Sequence, residues 1–339
     1  MENKNNSSAF RRFLHGERAV SRPAPLLILG IFFLLFLSRM MYLFLPKVTE
    51  SSGEYLTAVL LQLIIFPVPT YIYFRLRASE GTKILRQRTS LKNAKLSHLF
   101  LILSAIIILI SGCTLLAMLC GMMKSQASFT LYGTFRSSYD GTAGSAIRLI
   151  LAYGILPAVC EEIVFRGIIC SEYERHGILY SSLVSALFFA LVHFDVFAFP
   201  VYLFSGLVLA FVMYSTRSVI CSIAVHLGYN LFGIFVQAGL SGYCNSTGSV
   251  GLLVIVLIAL LLLGSAFFCG EIARILRGRA KPSLLDDPSV ISTPGVNKLK
   301  GTRAWGRAMA DVFACPEAVL SLVIWAAAVT VNIIMMVNK

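Results

Sequence analysis

Long apolar runs, interrupted by short polar or basic stretches, set the pattern of this chain. Runs of roughly the 17–25 residues that cross a bilayer as a helix are read at Pro25–Leu45, Tyr55–Phe74, Leu99–Met122, Ile147–Ile169, Ile178–His193, Phe197–Tyr214, Val219–Leu240, Val250–Cys269 and Ala318–Val337. Lipid offers backbone N–H and C=O groups no partner, so such runs take the form of helices. The pattern predicts an all-α, polytopic integral membrane protein with eight to nine transmembrane helices. Pro67 and Pro69 predict a kink in the second run, and Gly112 beside Ser111 permits close helix approach in the third.

Composition agrees. Of 339 residues, 57% are hydrophobic and 13% charged, against about 25% charged in ordinary soluble domains. The net charge of +13 raises nucleic acid as a partner, but its placement argues against that. Lys and Arg collect before the first run, between the second and third, and after the eighth, while the intervening loops hold few. By the positive-inside rule this predicts a multi-pass cell-membrane protein with a cytoplasmic N-terminus, and membrane lipid as a partner. The expected organisation is a cytoplasmic basic leader (1–24), a three-helix scaffold with an outside loop (25–146), four helices carrying the polar chemistry (147–240), an eighth helix (241–270), a cytoplasmic basic linker (271–316) and a ninth helix (317–339). The linker, broken by Pro282, Pro288 and Pro294, is expected to be dispensable beyond Gly278. The first run lacks a small-x-small cleavage site and reads as a retained anchor. The eight cysteines show no Cys-x-x-Cys spacing and read as small core residues.

The chemistry begins at Ile147. Leaving aside Arg148, the charged or titratable groups at membrane depth are read as Glu161, Glu162, Arg166, His193 and His226, with Asp195 just past the fifth run. Each ionised group there costs roughly 2.5–3.5 kcal/mol or more, so it needs a cavity or a partner. Glu162 and Arg166 are four apart on one helical face and can pair. Glu161 projects about 100° away and is left for another task. Phe189 precedes His193 by one turn, and Asn230 follows His226 by one turn, so each pair shares a face. Glu161 and His193 both lie roughly 22–24 Å along their helices from the turn at His176–Gly177, whereas His226 is expected to be shallower. These residues predict a cavity among helices four to seven.

The stretches Pro157-Ala-Val-Cys-Glu-Glu-Ile-Val-Phe-Arg-Gly167, Phe189-Ala-Leu-Val-His193 and His226-Leu-Gly-Tyr-Asn230, in this order, resemble the CPBP family of intramembrane proteases, the CAAX-protease and bacteriocin-processing (Abi) enzymes with EExxxR, FxxxH and HxxxN signatures. The resemblance spans about Arg148 to Phe235. It implies Glu161 as the base that activates water, His193 as the residue orienting it, and His226 with Asn230 as oxyanion donors. It also implies Glu162, Arg166 and Phe189 as supporting residues, and hydrophobic or membrane-bound peptides or proteins as substrates, CAAX-like or peptide precursors among them. Thr216-Arg217-Ser218 departs from a frequent Thr-Gly-Ser at a helix junction. The family was first described as metalloproteases, and Glu161, His193 and His226 are legal zinc ligands. No His-Glu-x-x-His places two ligands on one helical face, which favours a metal-independent glutamate mechanism while leaving zinc open.

Plainer readings stand beside these. Glu162–Arg166 is readable as a structural ion pair alone, Asp195 as a helix-end residue, and His193 and His226 as interhelical hydrogen-bonders. Phe188, Phe189, Phe194, Phe197 and Phe199 read as packing and interfacial residues. Two other functions compete: a proton-coupled transporter, since midplane Glu and His also form proton relays, and a catalytically silent immunity or interaction protein of the same ancestry.

Overall fold

The computed structural model describes residues 23–44, 51–77, 95–121, 141–279, 299 and 301–337. Its helices are α1 (Pro23–Phe44), α2 (Ser51–Ile65), α3 (Pro67–Arg77), α4 (Leu99–Leu119), α5 (Ala143–Tyr173), α6 (Ile178–Leu191), α7 (Phe199–Thr216), α8 (Val219–Phe232, continued to Thr247), α9 (Val250–Arg279), α10 (Thr302–Phe313) and α11 (Pro316–Val337). No strand occurs among the described residues. Among the described residues seven helical stretches are long and apolar enough to cross a membrane, and α1 and α6 add two shorter apolar ones. The chain is an all-α polytopic membrane protein. On α9 the outward side chains Leu252, Ile255, Leu262 and Phe267 are exposed, as suits a face whose solvent is lipid.

Two packed clusters build the bundle. One joins α1, α3, α5, α6, α10 and α11 around Phe32, Phe165, Tyr180 and Phe188. The other joins α4, α7, α8 and α9 around Leu101, Leu109, Leu209, Val212 and Val225. Their junction runs through α5, α6, α7 and α8, the helices that carry the motif residues. Crossing there is close: a Cβ on Gly206 of α7 would lie 2.9 Å from Ala186 Cα of α6, so only glycine lets these backbones approach.

Local departures from regular helix follow from the sequence. The second span breaks at Phe66, immediately before Pro67, because proline removes a backbone donor and clashes with the preceding turn. Within α5, π turns at Ile150–Ile155 and Ile163–Ile169 flank the regular segment Leu156–Glu162. Pro157 accounts for the first, since it cannot donate to the turn before it. Such π segments recur at functional sites.

Arg217 closes α7 with φ +54°, the left-handed conformation. The Thr216 hydroxyl accepts from Ser218 N–H at 3.3 Å beside it. This is the junction where the motif departs from glycine, and an L-residue pays roughly 1–2 kcal/mol there. Arg217→Gly is expected to raise the melting temperature, by an amount equivalent to a fraction of that cost, because glycine loses about 0.4–1 kcal/mol back through a freer unfolded chain. Thermal unfolding in detergent reads the sign.

The C-terminal third differs from expectation. The eighth helix runs on to Arg279, and the linker expected over 271–316 contains α10. Its side chains Trp305, Ala308, Met309, Val312 and Phe313 face the core at helical spacing, while Arg303 and Arg307 are exposed. Tyr180 O–H donates to the Ala308 carbonyl at 2.6 Å, and Phe188 packs on Phe313. The chain beyond Gly278 is thus built into the bundle, contrary to the expectation that it is dispensable. The prolines at 282, 288 and 294, the leader, and most of the loop between the third and fourth spans lie outside the described residues.

Candidate active site

Glu162 is the centre of the polar geometry. Its Oε1 accepts from Arg166 Nη1 at 2.8 Å and lies 2.9 Å from His226 Nδ1. Glu162 and Arg166 are fully buried. The i to i+4 spacing on α5 brings the first partner, and the α5–α8 crossing brings the second. Arg166 reaches further, donating from Nη2 to the Gly206 carbonyl of α7 at 3.1 Å. A single buried guanidinium thereby ties the motif helix to the glycine crossing.

The Phe189 ring is a platform under this cluster. Arg166 stacks over it at 4.4 Å, Phe165 meets it edge-on at 5.3 Å, and the imidazoles of His193 and His226 lie 5.0 and 5.8 Å away. His193 Nδ1 is 2.7 Å from the Phe189 carbonyl. A carbonyl only accepts, so Nδ1 carries the proton and Nε2 is free to accept in the neutral ring. The other face of His193 stacks on Tyr202 at 3.7 Å.

Glu161 is buried beside this group, with His226 and Arg166 among its electrostatic neighbours. Its Oε2 has no hydrogen bond of ordinary geometry among the described residues. The side-chain amide of Gln62, on α2, interacts with its carboxyl. Asn230 donates from Nδ2 to the Gly154 carbonyl, at 3.4 Å, inside the first π turn. The structure therefore brings Glu161, Glu162, Arg166, Phe189, His193 and His226 into one neighbourhood, with Asn230 one turn from His226 on the same helix.

Several expectations change. His226 meets Glu162 directly, so it is not shallower: α5 is wound partly as π turns, which use more residues per turn than the straight helix assumed. Asp195 is the helix-end residue read from the sequence: its Oδ1 accepts from the N–H groups of Phe197 and Ala198, both at 3.0 Å, capping the approach to α7. Charge at depth is not confined to helices four to seven either, since Arg39 of α1 reaches the His193 carbonyl. Gln62 was legible as the lone amide within the apolar run 58–66, and Arg39 as the lone charge within the first run. Phe188, Phe189 and Phe194 are core, whereas Phe197 is exposed. A groove of about 430 Å³, lined by Leu27, Gly30, Phe33, Pro69, Tyr73 and Ile324 among others, lies between α1, α3 and α11 and holds none of the motif residues.

Zinc was the open alternative. Among the described residues no set of three or more His, Cys, Asp and Glu side chains is arranged to hold a metal ion. His193 and His226 each direct Nδ1 to a protein acceptor, which leaves Nε2 as the nitrogen a metal would take.

A buried Glu-Glu-Arg, two histidines and an asparagine thus gather at the junction of the two cores of a polytopic helical bundle. Residues 143–232 match the family model described as type II CAAX prenyl endopeptidase Rce1-like. A 90-residue stretch is 31% identical to the Bacillus subtilis (strain 168) protein named "Putative membrane peptidase YdiL", covering 26% of this chain and 37% of that one. The chain thus spans little more than a third of this curated relative. No solved structure matches significantly. The matched segment is similar to the CAAX-protease family, and its limits agree with the stretch read from the motifs.

Proposed function

We propose that the chain is an intramembrane endopeptidase, which hydrolyses peptide bonds of membrane-associated or hydrophobic substrates with water activated by Glu161. The observation that carries this reading is the division of labour between adjacent carboxylates: Glu162 Oε1 is held by both Arg166 and His226, whereas Glu161 makes no ion pair among the described residues and has a buried oxygen without a hydrogen bond of ordinary geometry. A buried carboxylate with a free lone pair is the form a general base takes.

The chemistry runs on side chains and water. His193, with Nδ1–H on the Phe189 carbonyl, accepts a hydrogen bond from the water through Nε2 and so orients it. Glu161 takes the water's proton as its oxygen attacks the peptide carbon. The resulting oxyanion is met by Asn230, whose second N–H is not spent on Gly154, and by His226 Nε2, which donates when the ring carries both protons. Such donors are worth about 2.7–4 kcal/mol each in a soluble precedent. Collapse of the intermediate breaks the C–N bond, and Glu161 returns its proton to the leaving amine. A cytoplasmic N-terminus, a cell-membrane address and lipid as partner belong to the same proposal.

The test uses the full-length protein purified in detergent, incubated with two synthetic peptides: one ending in a farnesylated cysteine motif, the other hydrophobic and unlipidated. Mass spectrometry reads the products. Cleavage of either peptide that vanishes in Glu161→Gln supports the reading, and which peptide is cut assigns the substrate class. No cleavage of either, together with identical membrane peptide profiles for wild-type and Glu161→Ala cells, refutes it in favour of a catalytically silent protein.

A further inference from the structure

The motif segment does not hold His193 unaided. Helix α6 ends at Leu191, so the carbonyls that follow lack partners along the helix. The last turn tightens, with His193 N–H on the Ala190 carbonyl at 3.4 Å and Phe194 N–H on the Leu191 carbonyl at 3.1 Å. The chain then turns at Phe194 with φ +52°, a conformation uncommon for a bulky L-residue. Strain of this kind persists only where surrounding structure over-determines it, and it collects at functional sites.

The surroundings that do so come from the two ends of the chain. Arg39 of α1 donates from Nη2 to the His193 carbonyl at 3.0 Å and lies over the Phe194 ring at 5.2 Å. Its charge also faces Asp195 and Tyr202. Asn332 of α11 donates from Nδ2 to the Phe194 carbonyl at 3.0 Å. Phe32 of α1 closes on the Phe194 ring edge-on at 5.3 Å. Two successive carbonyls at a helix C-terminus are thus satisfied by two side chains from helices far apart in sequence, one of them a cation, which suits the negative end of the helix dipole. Both helices lie outside the matched stretch 143–232.

The geometry points to Arg39 and Asn332 as a two-sided clamp that positions His193: by fixing the Phe194 turn, they set the height and rotation at which the His193 ring meets Phe189, Tyr202 and the water-binding side of the site. They are positioning residues and touch no reacting atom. Their catalytic consequence rests on the protease reading; their effect on the His193 ring does not. The first and last spans then belong to the site as much as the motif helices do.

The test is made on the full-length chain with 15N-labelled histidine in detergent, the His193 ring signals being assigned by their loss in His193→Ala. Arg39→Met and Asn332→Leu are each expected to move the His193 signals while leaving those of His98, which packs on Cys221 elsewhere in the bundle, in place. Arg39→Lys keeps the charge without the fork and is expected to restore them in part. With a cleavable peptide, kcat should fall by up to about 10²-fold, the scale of an ångström-sized misplacement, with KM little changed, and Arg39→Met should cost nothing further in a His193→Ala background. Unmoved His193 signals in the folded variants overturn the clamp. If Arg39→Met does not fold, Arg39→Lys and Asn332→Leu each still break one arm and decide the matter. Shifted ring signals in a protein that cleaves neither peptide leave the clamp standing and remove the protease reading.

Discussion

Glu161→Gln is expected to abolish nearly all turnover while leaving the protein at least as stable as the wild type. The substitution preserves shape but removes proton acceptance, and general-base catalysis alone contributes about 10²–10⁴ in rate. Stability is spared for a specific reason. Glu161 is buried, and its Oε2 lacks a hydrogen bond of ordinary geometry among the described residues, so the carboxylate carries a desolvation cost that its neighbours do not fully offset. An amide is cheaper to bury than a charge. Gln62 presents both an amide donor and an acceptor, so it can pair with a glutamine as well as with a glutamate. The measurement is a pair of numbers on one preparation: melting temperature in detergent and initial rate on whichever peptide the wild type cleaves. A Glu161→Gln protein retaining a tenth or more of the wild-type rate would remove Glu161 from the role of base.

The spans were legible because lipid imposes a strong rule: a helix-length apolar run has one structural outcome. The break at Pro67 was legible for a similarly local reason. The neighbourhood of the motif residues was readable only in part. Spacing of four put Glu162 by Arg166 and Phe189 by His193, since one helix supplies both partners. Contacts between helices were not readable that way. His226 on Glu162 depends on where α8 crosses α5, and a uniform rise from Glu161 to His176 does not hold where Ile163–Ile169 is wound as a π turn. Helix α10 is not an apolar run. It is amphipathic, and its signal was the spacing of Trp305, Ala308, Met309, Val312 and Phe313. Arg39 and Gln62 are each alone in an apolar run, so no spacing marks them, although a lone polar group at depth needs a partner as much as Glu161 does.

Glu162→Gln is expected to fail twice, in stability and in turnover, and the two failures are separable. The side chain holds Arg166 at 2.8 Å and His226 at 2.9 Å from the same oxygen, with the Glu162 and Arg166 side chains fully buried. Removing its charge leaves the Arg166 guanidinium uncompensated, and breaking a buried pair in this way costs on the order of 3–5 kcal/mol. Pairing from one helix explains the stability loss but not a loss of rate. The rate should fall because an amide oxygen is a weaker acceptor than the carboxylate that sets the His226 ring orientation, and a histidine turned away from the oxyanion no longer donates to it. Replacing both charges tells these apart. In Glu162→Gln/Arg166→Met the orphaned cation is gone, and an apolar side chain of similar length fills its place against Phe165 and Phe189, so most of the lost melting temperature should return, as it does when buried pairs are replaced whole. Turnover should stay low, because nothing in the double variant restores the carboxylate on His226 Nδ1. Recovery of rate along with stability would show that Glu162 serves only as the counter-charge of Arg166. A stable but inactive Glu162→Gln beside an active Glu161→Gln would exchange the two glutamates, making Glu162 the base and Glu161 the brace.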